Sequence, residues 1–282
     1  MNLSLPRSFP IAKAALAAAV ITCAFALACS LIGCASGGTD SSSADGGNTS
    51  ASTDGKTLRV AMELAYPPFE TKDDAGNPEG LAVDFIRDFG AAYGYDVQIE
   101  NTAWDGLIPS LQSDKADLVI SSMTITDERK QSVDFSDAYA MAQLAILANA
   151  DSGVASIDDL NQPGKKVAVK TGSTGDVYAT KNLTNAEIVR LADESACVTE
   201  VVQGKADGFL YDQLTIYRNH QANPDTTEAV FIPFQDAEEW GIAVKKGNTE
   251  LLDQLNAFIA QSKTDGEFDR LTEKYLADEK KA

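Results

Sequence analysis

Ser121-Ser122-Met123-Thr124-Ile125-Thr126-Asp127-Glu128-Arg129, followed after three residues by Val133-Asp134-Phe135-Ser136, is the stretch on which the reading of this chain turns. An apolar run at 118–121 enters it and reads as a strand. Thr126 then stands where a helix N-cap stands, with Asp127 and Glu128 in the first turn, as the helix dipole favours. Arg129 in that same turn is electrostatically misplaced, because a helix N-terminus already carries partial positive charge. Either it pairs on the surface with Asp127 or Glu128, or an external anion comes to meet it. Its planar guanidinium can make two parallel charge-assisted bonds to a carboxylate, which a lysine cannot.

Outward from this stretch, short apolar runs alternate with amphipathic ones in both directions. Strands are expected at 58–62, 97–100, 118–121, 144–147, 167–169, 188–191, 208–211 and 241–244. Within 81–93, Phe85, Phe89 and Ala92 share a helical face, and Gly94 sits where the helix would stop. The stretches 104–111, 194–203, 251–259 and 268–275 read as helices in the same way. Strand–helix alternation predicts an α/β fold on largely parallel sheets. No period of about 20–50 residues recurs, which excludes a repeat solenoid.

The N-terminus has the order of a secretory signal: Arg7 and Lys13, then an uncharged apolar stretch over 14–32. A membrane-spanning helix is the alternative, since the stretch approaches the roughly 20 residues that cross a bilayer. It ends, however, in Leu31-Ile32-Gly33-Cys34, which resembles a bacterial lipobox, where cleavage exposes a cysteine that carries diacylglycerol. Residues 1–33 are therefore expected to be a lipoprotein signal peptide. Residues 34–55 would be the lipidated Cys34 and a disordered tether of Gly, Ser, Thr, Ala, Asp and Asn. The rest would stand outside the cytoplasm, held to the cell membrane by its lipid.

Cys23 and Cys29 lie in the segment to be removed, so Cys197 is left in the folded part without an internal disulfide partner. Its apolar setting reads as core packing. The only histidine is His220, and no His/Cys cluster has ligand spacing, so no metal is expected. The formal net charge of −19 repels nucleic-acid phosphates and anionic membrane surfaces, and otherwise serves solubility.

Other segments join the opening stretch in a known pattern. They are Ala65-Tyr66-Pro67-Pro68-Phe69-Glu70, Gly80-Leu81-Ala82-Val83-Asp84 and Trp104-Asp105-Gly106-Leu107-Ile108-Pro109-Ser110-Leu111. Further on come Val167-Ala168-Val169-Lys170-Thr171-Gly172-Ser173-Thr174-Gly175 and Gly204-Lys205-Ala206-Asp207-Gly208-Phe209-Leu210-Tyr211-Asp212. In order and spacing, over about 57–277, the chain resembles the polar amino-acid-binding proteins of bacterial solute-binding family 3. The resemblance implies a two-lobed type II periplasmic-binding-protein fold, the Venus flytrap, in which the chain crosses between lobes twice. Lobe 1 would take residues 56–138 plus 241–282 and lobe 2 residues 143–235, with crossings near 138–142 and 236–240. Ligand is expected in the cleft, at strand ends and helix N-termini.

The implied ligand is a free amino acid, which presents a carboxylate and an ammonium one carbon apart. Arg129 is expected to take the carboxylate, helped by the hydroxyl or backbone N–H of Thr124. Ser122 would offer a backbone carbonyl to the ammonium. Ser173 and Thr174 belong to a Gly-rich turn entering a helix, where N–H groups bind anions; the turn lacks the Gly-Lys-Ser/Thr pattern of a nucleotide loop. Asp212 matches the family's ammonium-binding aspartate, or caps the next helix, or does both. Tyr66 and Trp104 resemble the aromatic walls around the ligand's aliphatic part. Glu63 and Lys170 stand where glutamine-binding relatives carry an aspartate and a lysine, and together they suit a side-chain amide. Glu63 alone would suit a basic side chain if Lys170 turned to solvent.

The resemblance further implies delivery to the permease subunits of an ABC transporter by a monomer that needs no cofactor. Two other readings stay open: a dehydratase on the same fold, with Glu63 as its general acid, and a sensor that presents closed lobes to a membrane receptor.

Overall fold

The structure is a computed structural model that describes residues 55–231 and 234–277; the expected signal segment, Cys34 and the tether to residue 54 lie outside the described residues. Strand β1 (Lys56–Met62) is followed by β2 (Thr71–Lys72), β3 (Pro78–Glu79), helix α1 (Leu81–Tyr93) and β4 (Tyr95–Asn101). A 3₁₀ turn (Trp104–Gly106) runs into α2 (Leu107–Gln112), then come β5 (Leu118–Val119), a second 3₁₀ turn (Arg129–Gln131) and β6 (Val133–Phe135). After β7 (Ala140–Ala142) the chain forms β8 (Leu144–Asn149), α3 (Ile157–Leu160), β9 (Lys166–Lys170), α4 (Thr174–Asn182) and β10 (Glu187–Leu191). It continues through α5 (Glu194–Val202), β11 (Gly208–Asp212), α6 (Gln213–Ala222) and β12 (Thr227–Val230). β13 (Glu238–Trp240) then leads to β14 (Ala243–Lys245), α7 (Thr249–Asp265) and α8 (Glu267–Leu276).

Two five-stranded sheets form, in the orders β4-β1-β5-β14-β6 and β10-β9-β11-β8-β12. Each anchors one lobe of a type II periplasmic-binding-protein fold. Residues of the inner strands alternate between two buried faces, so both faces of each sheet are covered at its centre, while the edge strands β4 and β10 leave part of theirs exposed. In the first sheet Leu58, Val60 and Met62 meet α1, α7 and α8, while Ala61 and Val119 meet α2. In the second, Val167 and Val169 pack with Leu160, Ala179 and Leu183, while Ala168 packs with Cys197, Val201 and Ile216. Cys197 is fully buried, and burial pushes its thiol up to about 12, which fits packing rather than chemistry.

The expectation of largely parallel sheets is corrected. β1 pairs in parallel with β4 and β5, and β9 with β10 and β11, but β14 and β8 run antiparallel to both their neighbours. The cause is the change of lobe. β8 and β14 each enter their sheet directly from a crossing, so they start at the end where β11 and β5 finish. The two crossings lie side by side as an antiparallel pair, Glu238 opposite Ala142 and Trp240 opposite Ala140.

Local differences follow from context. The turn at Thr126 is a single 3₁₀ turn, not the start of a helix, because β6 takes the chain back into the sheet within a few residues. The Thr126 hydroxyl still accepts from the Arg129 N–H at 3.2 Å, as a cap would. The stretch 104–111 opens as 3₁₀ and becomes α-helical only from Leu107.

Candidate functional site

The parallel strands of both sheets finish at the cleft, and the functional residues stand at those ends. Glu63 follows β1, Trp104 follows β4, and Ser121, Ser122 and Thr124 follow β5; Lys170 is the last residue of β9 and Asp212 the last of β11. A cavity between the lobes is lined by Glu63, Tyr66, Trp104, Ser122, Thr124, Arg129, Ser173, Thr174 and Asp212. Lys170, the remaining expected residue, reaches it through Glu63, with which it forms an ion pair across the cleft. The sequence did not single out Glu70, Ser121, Leu144, Tyr211, Glu238 and Trp240, which line the same cavity.

Arg129 is placed by its backbone contacts. Nη1 donates to the Thr124 carbonyl at 2.7 Å, and Nη2 donates across the cleft to the Gly172 carbonyl at 3.2 Å. Its guanidinium lies 5.3 Å from the centre of the Trp104 ring, and Lys170 Nζ lies 5.0 Å from the same centre. Trp104 thus meets a cation from each lobe. Among the described residues, Arg129 has no carboxylate within ion-pair distance, and burial lowers its pKa. A partly buried cation that feels the Glu238 charge but has no carboxylate in ion-pair contact favours binding an anion.

Asp212 opposes it from lobe 2. Its Oδ1 accepts from the N–H groups of Leu214 and Thr215, at 2.9 and 3.1 Å, capping α6. Oδ2 takes no part in the cap. Burial raises its pKa, opposed by the hydrogen bonds it accepts. Ser173 caps α4 by accepting from the Asp176 N–H at 3.2 Å. Thr174, the first residue of that helix, donates its hydroxyl to Glu238 Oε2 at 2.9 Å. Thr124 donates to the same oxygen at 2.9 Å. Gly175 sets this geometry, since a Cβ there would fall 2.3 Å from the Leu210 carbonyl; only glycine lets α4 sit so close to β11.

Ser122 is a non-glycine residue at φ 46°, a strained conformation that functional sites tolerate. It places its hydroxyl 3.1 Å from Glu70 Oε2, as donor, and its N–H 3.1 Å from the Tyr139 hydroxyl. Glu70 is 1% exposed, and burial holds its carboxyl well above the usual range. Among the described residues, Glu70 Oε1 has no hydrogen-bond partner, and the Tyr66 hydroxyl, though near enough to Asp212 to lower that carboxyl's pKa, makes no hydrogen bond of good geometry. Two such atoms at one cavity mark a place where a polar ligand would be satisfied. Nothing in the local sequence signals Glu238 as a site residue, and Glu70, although it closes the motif begun at Ala65, carries no local cue to its burial, because both meet their side-chain partners from elements far away in the chain.

Residues 58–278 match the family model described as bacterial extracellular solute-binding proteins, family 3. The chain is 36% identical over 262 residues to the probable histidine-binding protein of Neisseria gonorrhoeae, covering 91% of this chain and 95% of that one. Among solved structures it is similar to the ancestral amino acid-binding protein AncCDT-1, a precursor of cyclohexadienyl dehydratase: 38% identity, TM-score 0.71, 78% of this chain and 94% of that one. It is also similar to an ancestral arginine-binding protein, solved bound to arginine and bound to glutamine, at 37% identity and TM-score 0.72, covering 78% and 97% of the two chains.

Proposed function

The chain belongs to the bacterial extracellular solute-binding proteins of family 3, and on that premise we propose that it closes two lobes around a free polar α-amino acid and delivers it to the permease subunits of an ABC importer. The observation that carries this reading is Arg129 facing Asp212 across one cavity. A cation without an ion-paired carboxylate and a carboxylate with an oxygen outside its helix cap match the two charges of a zwitterion. Thr124, Ser173 and Thr174 would assist at the carboxylate, Ser122 at the ammonium, and Tyr66 and Trp104 along the aliphatic part. The lobes would be 56–138 plus 241–282 and 143–235, a division that the two sheets support.

For the side chain we propose a glutamine-like amide. Lys170 is 3% exposed and paired with Glu63, which weighs against a lysine turned to solvent. The pair offers the ligand a donor and an acceptor with no net charge, and an amide matches both. Selectivity between amide and basic side chains is a small difference on this fold, since the ancestral relative was solved with each kind.

A thermal-shift screen against the twenty amino acids tests the reading. Glutamine is expected to raise the melting temperature by several degrees. Arg129→Ala should lose at least about 100-fold in affinity, as two charge-assisted bonds of roughly 1.5–3 kcal/mol each disappear, while keeping its own melting temperature. No shift with any amino acid would sink the proposal.

A dehydratase is the second reading because Glu70, whose carboxyl burial raises well above the usual range, has the character of a general acid; its substrate would be a cyclic acid without an amine, which leaves Asp212 no partner on the substrate. We also propose that Cys34 carries a lipid that holds the monomer to the outer face of the membrane. Cys34→Ser should then move the protein from the membrane fraction to the soluble fraction, and a protein that stays membrane-bound would refute the anchor.

A further inference from the structure

Glu238 stands on β13, one of the two hinge strands, and its carboxylate occupies a defined position. Oε2 accepts hydroxyl bonds from Thr124, which follows β5 of the first sheet, and from Thr174, which opens α4 of the second, both at 2.9 Å. Oε1 accepts from Gln235 Nε2 at 2.8 Å. Thr124 is also tied to this strand through its bridge to Trp240. Two hydroxyls from two lobes therefore converge on one carboxylate oxygen, beside a guanidinium that the Glu238 charge already influences. These are the donors assigned above to the α-carboxylate of the amino acid.

We propose that Glu238 is an internal competitor for the ligand's carboxylate, taking its place at Thr124 and Thr174 and thereby setting the affinity of the site. The inference rests on the carboxylate subsite as read under the proposed function. Space supports it as well. The cavity that Glu238 lines has a free volume of only about 40 Å³, on the scale of a few waters, so with the lobes as they stand an amino acid is seated only if a lining group gives way. Glu238 has somewhere to go, because it also borders a neighbouring groove of about 700 Å³ whose lining includes Lys181. Among the described residues Lys181 forms no ion pair, so the displaced carboxylate turns toward a cation. A ligand carboxylate brings the same charge to the same hydroxyls and adds two bonds from Arg129, which explains how it wins the exchange.

Both tryptophans of the chain, Trp104 and Trp240, line this cavity, so their fluorescence reads its state directly. The test is a fluorescence titration of the wild type, Glu238→Ala and the near-isosteric Glu238→Gln with glutamine and with arginine. Both variants are expected to bind about 3- to 30-fold more tightly than the wild type. Before ligand is added, the emission of Glu238→Ala should shift to the red as the hydroxyls of the two lobes lose their shared acceptor. Affinity unchanged or weakened in both variants overturns the inference, because Glu238 would then scaffold the hydroxyls rather than compete for them. A wild type that responds to no amino acid sinks the binding reading itself, and the red shift without ligand, which needs no ligand identity, still decides whether Glu238 bridges the lobes.

Discussion

Individual carboxylates in this protein divide by environment. Asp212 caps a helix, and the hydrogen bonds it accepts oppose the rise that burial gives its pKa, while Glu70 is buried beside Ser122 and burial holds its carboxyl well above the usual range. Glu194, at the start of α5, is a third case: burial, then the nearby Asp212 charge, push it up to about 7 from an ordinary 4.5. The native chain therefore holds more protons than the unfolded chain between those values. Stability falls as pH rises through that window, the full benefit being present below about pH 4.5. Glu194→Gln should remove the penalty. Its melting temperature is expected to exceed the wild type's near pH 8 by the equivalent of about 3 kcal/mol and to match it near pH 4; equal melting curves at both would refute the raised pKa. The sequence pointed to Arg129 and Asp212 as cavity-lining residues, Arg129 because a cation stands in a capped turn and Asp212 because an acid ends one strand and opens the next helix, while their roles toward a ligand rest on the family resemblance. It did not point to Glu70 or Glu238. An acid in Asp-Ala-Glu-Glu-Trp reads as solvated surface until the fold brings Thr124 and Thr174 to it.

Among the elements, most strands and helices could be read from apolar periodicity, since both faces of each sheet are covered at its centre and the runs are strong. The 3₁₀ turn at Arg129–Gln131 was harder, because its capping chemistry is helical while the next strand decides its length. The hinge strands β7 and β13 were missed as strands for a related reason: runs of only three residues each leave no period to detect. The packing of α4 on β11 makes a prediction at this level. Gly175→Ala would drive a methyl into the Leu210 carbonyl and push the helix outward. A loss of about 1–3 kcal/mol by urea denaturation is expected, typical of overpacking, together with weaker amino-acid binding as Thr174 leaves its place. An unchanged urea midpoint would show that the contact relaxes freely.

For the whole molecule, the Glu63–Lys170 pair ties the lobes together from nearly dry positions, with side chains 14% and 4% exposed. Removing one partner of a buried pair leaves the other uncompensated, at about 3–5 kcal/mol. Glu63→Ala should therefore bind its amino acid about 100-fold more weakly, and the double variant with Lys170→Met should recover much of that loss while losing preference for an amide. Strictly additive effects in the cycle would mean that the pair does not hold the lobes closed. The sheet order carries one more consequence, in the time the chain takes to be made. β14 is the last strand synthesised among the described residues, yet it lies inside the first sheet, between β5 and β6. The second sheet, drawn wholly from residues 144–230, has all its strands before β14 exists. The lobe begun first must be finished last, so a chain released early leaves β5 and β6 facing a gap that only its own C-terminal residues can fill.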